Sequence, residues 1–175
     1  MKLALDMGAA GIVFPQINTA QESAECVAMT RYPPRGVRGF GPFIGHSRWG
    51  VSFEDYLSKV GDTVICNILI ETKAAIDNIE AICAVEGISV LVLAPFDLSV
   101  ELGCPGRFED PAFLKAVERF ERATTAAKVP RSTLALTEQQ VQSAIARGYA
   151  TVGLGFDVLM LKNAAAVATG WAGPA

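Results

Sequence analysis

Short unbroken apolar runs, each followed by a longer amphipathic stretch, recur along this chain and restrict its fold more than any other feature. VICNILI (Val64–Ile70) and SVLVLA (Ser89–Ala94) show almost no alternation of polar and apolar residues. Strands of that kind are expected to be buried on both faces, as in a parallel sheet whose crossovers are helices. The same reading expects strands at Gly11–Pro15, Ser132–Leu136 and Ala150–Gly155. Helices are expected at Thr19–Thr30, Phe53–Val60, Thr72–Ala84, Pro111–Lys128, Thr137–Arg147 and Val158–Thr169. Two of their boundaries carry clear chemistry: Asp110 is an N-cap followed by proline at the first helical position, and Gly148 stops the helix that Thr137 opens. Repeated βα units give an α/β fold.

A chain of 175 residues suits one domain, 1–175. With 51% hydrophobic and 19% charged residues and a net charge of -3, it is expected to be a compact globule without a polyanion-binding surface. There is no basic run interleaved with aromatic residues, so nucleic acid is set aside as a partner. The apolar windows are too short to span a bilayer. Asp6, Gly8, Gly11 and Pro15 interrupt the N-terminal apolar stretch in a way that a signal peptide would not. No membrane association is expected, and the cytoplasm is the default location. Cys26, Cys66, Cys83 and Cys104 form no C-x-x-C pair and have one histidine for company, which argues for reduced thiols rather than zinc. Cys66 reads as a buried strand residue.

Two architectures compete, a doubly wound open sheet and a closed barrel. No glycine-rich nucleotide motif follows any strand. Polar residues gather instead just past the C-terminal ends of successive strands, where a barrel builds its active site and where an open sheet also binds ligands. The barrel is the favoured reading. A complete one needs about 250 residues, which leaves roughly three βα units beyond the five strands read here. The opening KLALDMGAAG reads as a helix end running into a strand, so earlier strands are expected to be missing.

Glu71 ends one strand, and Asp97 follows another through Pro95 and Phe96, 26 positions further on. Adjacent parallel strands lie about 4.8 Å apart. Carboxylates at two such ends can converge on one hard cation of the Mg2+ or Mn2+ type. Spacing alone allows a second reading, in which Glu71 caps the helix starting at Thr72 and Asp97 caps the segment after Pro95. His46, in a glycine-rich loop, is a candidate base or ligand, but a solvated loop histidine is the more ordinary reading. Arg31, Arg35, Arg38 and Arg48 make their stretch basic, suited to a carboxylate substrate or to packing on a neighbouring subunit. G-x-S-x-G is absent.

The runs LDMGAAGIVFPQ, TRYPPRGVRGFG, SRWG, ILIETKAAIDNI, VEGISVLVLAPFDLS and GYATVGLGFDVLML together resemble the HpcH/HpaI-type class II aldolases, in the same order along nearly the whole chain. The resemblance implies a (β/α)8 TIM barrel of the phosphoenolpyruvate/pyruvate type, incomplete here, and a homo-oligomer, a hexamer in the family, with exchanged C-terminal helices. It implies a divalent cofactor (Mg2+, Mn2+ or Co2+) on Glu71 and Asp97, and a substrate carboxylate on the backbone at Phe96. Asp6 matches an aspartate that raises the basicity of the catalytic histidine. The substrates implied are pyruvate, a 2-oxo acid, and an aldehyde, joined in a 4-hydroxy-2-oxo acid. No lysine stands where a Schiff base would need it. The family's base histidine and pyruvate-binding arginine belong to strands upstream of LDMGA, and His46 is not given the base role.

Three positions depart from the family pattern. Leu69 stands where many members carry a substrate-contacting glutamine, Ala94 where glycine is usual, and Phe96 where alanine is frequent. Two further hypotheses stand beside the aldolase: a non-catalytic remnant kept as a structural or interaction subunit, which these departures favour, and a lyase of CoA thioesters, which the TRYPP and SRWG segments disfavour.

Overall fold

The computed structural model describes residues 1–41, 50–171 and 173. It divides into two compact units, Met1–Arg131 and Ser132–Ala175.

The first unit opens with a single helical turn, α1 (Lys2–Asp6), that runs into β1 (Gly11–Phe14). Helix α2 (Ala20–Thr30) starts at a capping box: the Thr19 hydroxyl accepts from the Glu22 amide, and the Glu22 carboxylate accepts from the Thr19 amide. Helix α3 (Phe53–Thr63) is capped by Ser52 and leads into β2 (Ile65–Ile70). The helix expected over 72–84 is two pieces, α4 (Lys73–Asp77) and α5 (Ile79–Cys83). The cause is local. Arg119 donates to the Asp77 carbonyl at 2.9 Å, and the Asn78 carboxamide reaches the Asn18 carbonyl at 2.9 Å, both drawing the joint away from helical bonding. Strand β3 (Val90–Leu93) is followed directly by α6 (Pro95–Glu101), a helix not among those expected from the sequence, and then by α7 (Pro111–Ala127).

The strands of this unit are parallel and follow chain order. Gly11 to Phe14 lie opposite Ile65 to Ile68, and Asn67 to Ile70 lie opposite Val90 to Leu93. Helices α2, α5 and α7 pack together, and α2 also rests on β2. They cover the sheet face formed by Cys66, Ile68, Ile70, Leu91 and Leu93, all buried with Ile79, Ile82 and Phe120. The opposite face corrects the expectation of burial on both sides. Asn67 and Leu69 are half-buried there and Val13 is 51% exposed, because the helices of this unit lie against the other face.

The second unit contains β4 (Arg131–Ala135, whose first residue belongs to the first unit), α8 (Glu138–Ala146), β5 (Thr151–Leu154) and α9 (Asp157–Gly170). Here too the strands are parallel, Ser132 to Ala135 opposite Thr151 to Leu154. Burial is sparse: Ala144 is the buried residue of α8, and α9 has none. Val158, Met160, Leu161, Val167 and Trp171 stand exposed on or just beyond α9. No helix among the described residues is long and apolar enough to cross a membrane.

Strand β1 approaches β2 so closely that only glycine fits at its start. A Cβ on Gly11 would lie 2.4 Å from the Ile65 carbonyl oxygen. Gly11→Ala is therefore expected to cost about 1–3 kcal/mol through forced displacement of β1. Urea unfolding measures this, and a midpoint equal to that of the wild type would show that the strands part without cost.

Candidate metal centre

The register that sets Ile70 opposite Leu93 also brings the next residues of both strands to one level, where the Ala94 amide donates to the Ile70 carbonyl at 3.0 Å. Glu71 leaves β2 at this level, and Asp97 lies in the first turn of α6, which begins as β3 ends. Both acids thus stand at the C-terminal ends of adjacent parallel strands.

Neither acid is a helix cap. Thr72 caps α4 by accepting from the Ala75 amide, and α6 begins at Ala94 with no side-chain cap bond. Glu71, 5% exposed, is held from a third strand end instead. Two residues past β1, the Gln16 amide donates to Glu71 Oε1 at 2.6 Å, and the Gln16 side-chain Nε2 donates to the same oxygen at 3.0 Å. Glu71 Oε2 accepts no hydrogen bond among the described residues. The exposed Asp97 carboxylate likewise has no hydrogen bond or ion pair among them.

The turn carrying Gln16 is tied down on several sides. Asn18 Nδ2 donates to the Gln16 carbonyl at 3.2 Å, the Asn18 amide donates to Glu22 at 2.7 Å, and the Thr72 hydroxyl donates to Asn18 Oδ1. Gln16 was missed as a site residue in the sequence. The signal was there, since it follows a strand end by the same rule that singled out Glu71 and Asp97.

Of the other expected residues, Leu69 is half-buried on the open face of β2. Phe96 is 40% exposed and meets Phe108 edge-on at 5.0 Å. Its amide is in the first turn of α6, where no earlier helical carbonyl can reach it. Lys73 is exposed and paired with Asp77. His46 and Arg48 lie outside the described residues.

Asp6 is buried away from bulk water and paired. Arg38 Nη2 donates to its Oδ1 at 2.7 Å, and Lys2 also donates to it. Burial pushes the Asp6 carboxyl up, but the hydrogen bonds from Lys2 and Arg38 outweigh it and hold the group below the usual carboxylate range. Arg38 is 2% exposed, donates to the Tyr56 hydroxyl at 3.3 Å and lies 4.6 Å from the Tyr32 ring centre. Its Nε and Nη1 have no hydrogen-bond partner among the described residues. Arg31 donates to the Val64 carbonyl at 3.0 Å. Arg31 and Arg38 therefore fasten the fold through these bonds, and Arg38 is buried away from any solvent-borne carboxylate. The four cysteines are free and buried, and burial raises the Cys66 and Cys83 thiols to about 11, so neither is a ready thiolate.

Within the second unit, a cavity of about 260 Å³ opens past the ends of β4 and β5, walled by Leu136, Val141, Leu154 and Met160. It lacks the paired acids found in the first unit.

Two carboxylates with an oxygen each to spare are a hard-oxygen donor set, and they fit a divalent cation completed by water or a chelating substrate. No group of three or more His, Cys, Asp or Glu side chains able to share an ion occurs among the described residues. Parallel βα units with acids at adjacent strand ends define the broad class of α/β enzymes whose sites lie beyond the strand ends. Residues 1–164 match the family of HpcH/HpaI aldolases and citrate lyases, and the chain belongs to that family. It is 34% identical over 165 residues to the 2-keto-3-deoxy-L-rhamnonate aldolase of Escherichia coli K12, covering 94% of this chain and 61% of the relative. The chain thus spans less than two thirds of the length of that relative. Among solved structures, an HpcH/HpaI aldolase/citrate lyase family protein of Burkholderia cenocepacia J2315 superposes with a TM-score of 0.88 at 30% identity, over 96% of this chain and 66% of that one. An HpcH/HpaI aldolase of Desulfitobacterium hafniense DCB-2 gives 0.87 at 28% identity, over 96% and 65%.

The Asp6–Arg38 pair makes a pH-dependent contribution whose sign follows from the depressed carboxyl. It is complete above the unfolded pKa of about 3.9 and is lost as pH falls through the lower folded value. Asp6→Asn leaves the Arg38 charge buried without its partner, at an expected cost of about 3–5 kcal/mol near pH 7. Urea unfolding from pH 7 down to the most acid pH at which the wild type stays folded should show the difference between the two proteins shrinking. A difference that holds constant across the range would refute this account.

Proposed function

We propose that this chain carries the metal-holding part of a class II aldolase site, which cleaves a 4-hydroxy-2-oxo acid to pyruvate and an aldehyde. The observation that carries the proposal is the pair Glu71 and Asp97, at adjacent strand ends, each with a carboxylate oxygen the fold does not use. Support for the substrate class comes from the aldolase relative, whose name gives a 2-keto-3-deoxy acid. Strand order without reversal in either unit favours the TIM barrel over the doubly wound sheet, which needs a switch point.

The roles of the chain's own residues follow from their placement. Glu71 and Asp97 hold the ion. The Phe96 amide, with no helical carbonyl to bond, is placed to donate to the carboxylate of the 2-oxo acid. A divalent ion, Mg2+, Mn2+ or Co2+, supplies Lewis-acid stabilisation of the negative charge that collects on the keto oxygen as the carbon–carbon bond breaks. Leu69, two residues before Glu71, and Phe96, next to Asp97, are proposed to act on substrate range through their apolar side chains. Asp6 is given a part in proton handling by the family resemblance, through a histidine upstream of this chain, while within the chain its carboxylate is engaged by Arg38 and Lys2. The family resemblance assigns the proton acceptor and the anion-binding arginine to segments of the relatives that this chain does not span. The 175-residue chain alone is therefore proposed to be a poor aldolase. The exposed apolar residues of α9 support assembly with further copies of the chain.

Mn2+ titration tests the site. Glu71→Ala and Asp97→Ala are each expected to reduce binding by at least tenfold, about 1.4 kcal/mol. The wild type is expected to accelerate decarboxylation of oxaloacetate with Mn2+ present, and the variants are not. Wild-type affinity in both variants would remove the metal site, and a binding site without any decarboxylation would leave the reading of a non-catalytic subunit. For assembly, sedimentation of the wild type against a Val158→Lys, Leu161→Lys variant is expected to show a larger species only for the former. Equal mass for the two would overturn the oligomer.

A further inference from the structure

Gln16 has a backbone φ of 58°, in the left-handed region that glycine favours and glutamine rarely enters. Such a conformation persists only where its surroundings enforce it, and here they include Pro15 on one side and the bond from Asn18 to the Gln16 carbonyl on the other. Its effect is to aim the amide and the side-chain carboxamide of one residue at one oxygen, Glu71 Oε1, at 2.6 and 3.0 Å. A carboxylate oxygen has two in-plane lone pairs. Two donors fill them, while Oε2 has no partner among the described residues.

We propose that Gln16 is a positioning residue that sets how Glu71 holds its cation: through Oε2 alone, with the carboxylate prevented from turning to chelate through both oxygens. The inference rests on the reading of Glu71 as a metal ligand and adds the mode of attachment. A glutamate held to one contact leaves one more position on the ion than a chelating glutamate would. A 2-oxo acid that binds through its carboxylate and keto oxygens needs such positions. The sequence at this turn thus contributes to substrate capacity through a residue that itself touches neither substrate nor ion.

The test uses the full chain, Mn2+ as probe, and two variants. Gln16→Met keeps the length of the side chain and the backbone amide but removes the Nε2 donor. Gln16→Gly removes the same donor while relaxing the left-handed backbone, so it separates strain from binding and carries the test if the methionine variant folds poorly. Mn2+ affinity is read from the paramagnetic resonance of the free ion. Carboxylate coordination is read from the infrared difference between loaded and apo protein, where the splitting of the two stretching bands is wide for one-oxygen binding and narrow for chelation. Both variants are expected to bind Mn2+ about tenfold more weakly, the scale of one hydrogen bond to a charged group, with a narrower splitting than the wild type. A purely structural Gln16 would instead shift the thermal midpoint of the apo protein and leave affinity and splitting as in the wild type, which would overturn the proposal. Loss of Mn2+ binding in Glu71→Ala together with unchanged Gln16 variants would overturn this inference and spare the metal site. Absence of Mn2+ binding in the wild type would overturn both.

Discussion

The registers of β2 with its two neighbours put Phe14 opposite Ile68 and Ile70 opposite Leu93. Strands β2 and β3 thus end level while β1 ends two residues short, and the turn after it carries Gln16 up to Glu71. A one-residue slip in either pairing would turn every side chain of a strand to the opposite face and carry Glu71 away from Gln16 and Asp97. What holds the registers is the apolar row Cys66, Ile68 and Ile70 with Leu91 and Leu93, buried beneath α2, α5 and α7. Non-directional burial of hydrocarbon therefore fixes the position of directional polar groups at the rim. The site needs no strength of its own to be in place.

The first unit contains two kinds of polar group, and they differ in what they leave over. At Asp6 both carboxylate oxygens are engaged, one by Arg38 and one by Lys2, and the arginine still retains donors without a partner among the described residues. At Glu71 one oxygen is committed and the other is not, while Asp97 is committed to nothing among the described residues. Spare acceptor capacity beside a buried surface is costly in a structural role, and a cation is the kind of ligand that would take it up.

Much of this was legible in the sequence. The five strands lie where their apolar runs stand, within a residue or so at each end, although they are less buried than those runs suggest. Glu71 and Asp97 were legible as strand-end acids, though spacing alone could not separate ligand from cap. That distinction depended on Thr72 and Ala94 occupying the cap positions. The split at Asn78 and the helix at Pro95 were not legible. The first depends on Arg119 and Asn18, distant in sequence, and the second is a short helix whose proline start resembles a turn. Burial of Arg38 was hidden for a similar reason. In sequence it is one of several arginines near a glycine-rich loop, and its partner lies 32 positions earlier.

The cradle around Glu71 is also a matter of timing. Gln16 and Glu71 are 55 positions apart, Asn18 and Thr72 54, and Asn18 and Asn78 60. Each tie closes a long loop, and each must wait for the later residue to be synthesised. During translation, the β1 turn leaves the ribosome before the carboxylate that its donors will meet. Until β2 and the residues just past it arrive, those amides bond to water, and the left-handed backbone at Gln16 has little to hold it. The rim of the sheet thus cannot close before the residues just past β2 have been made.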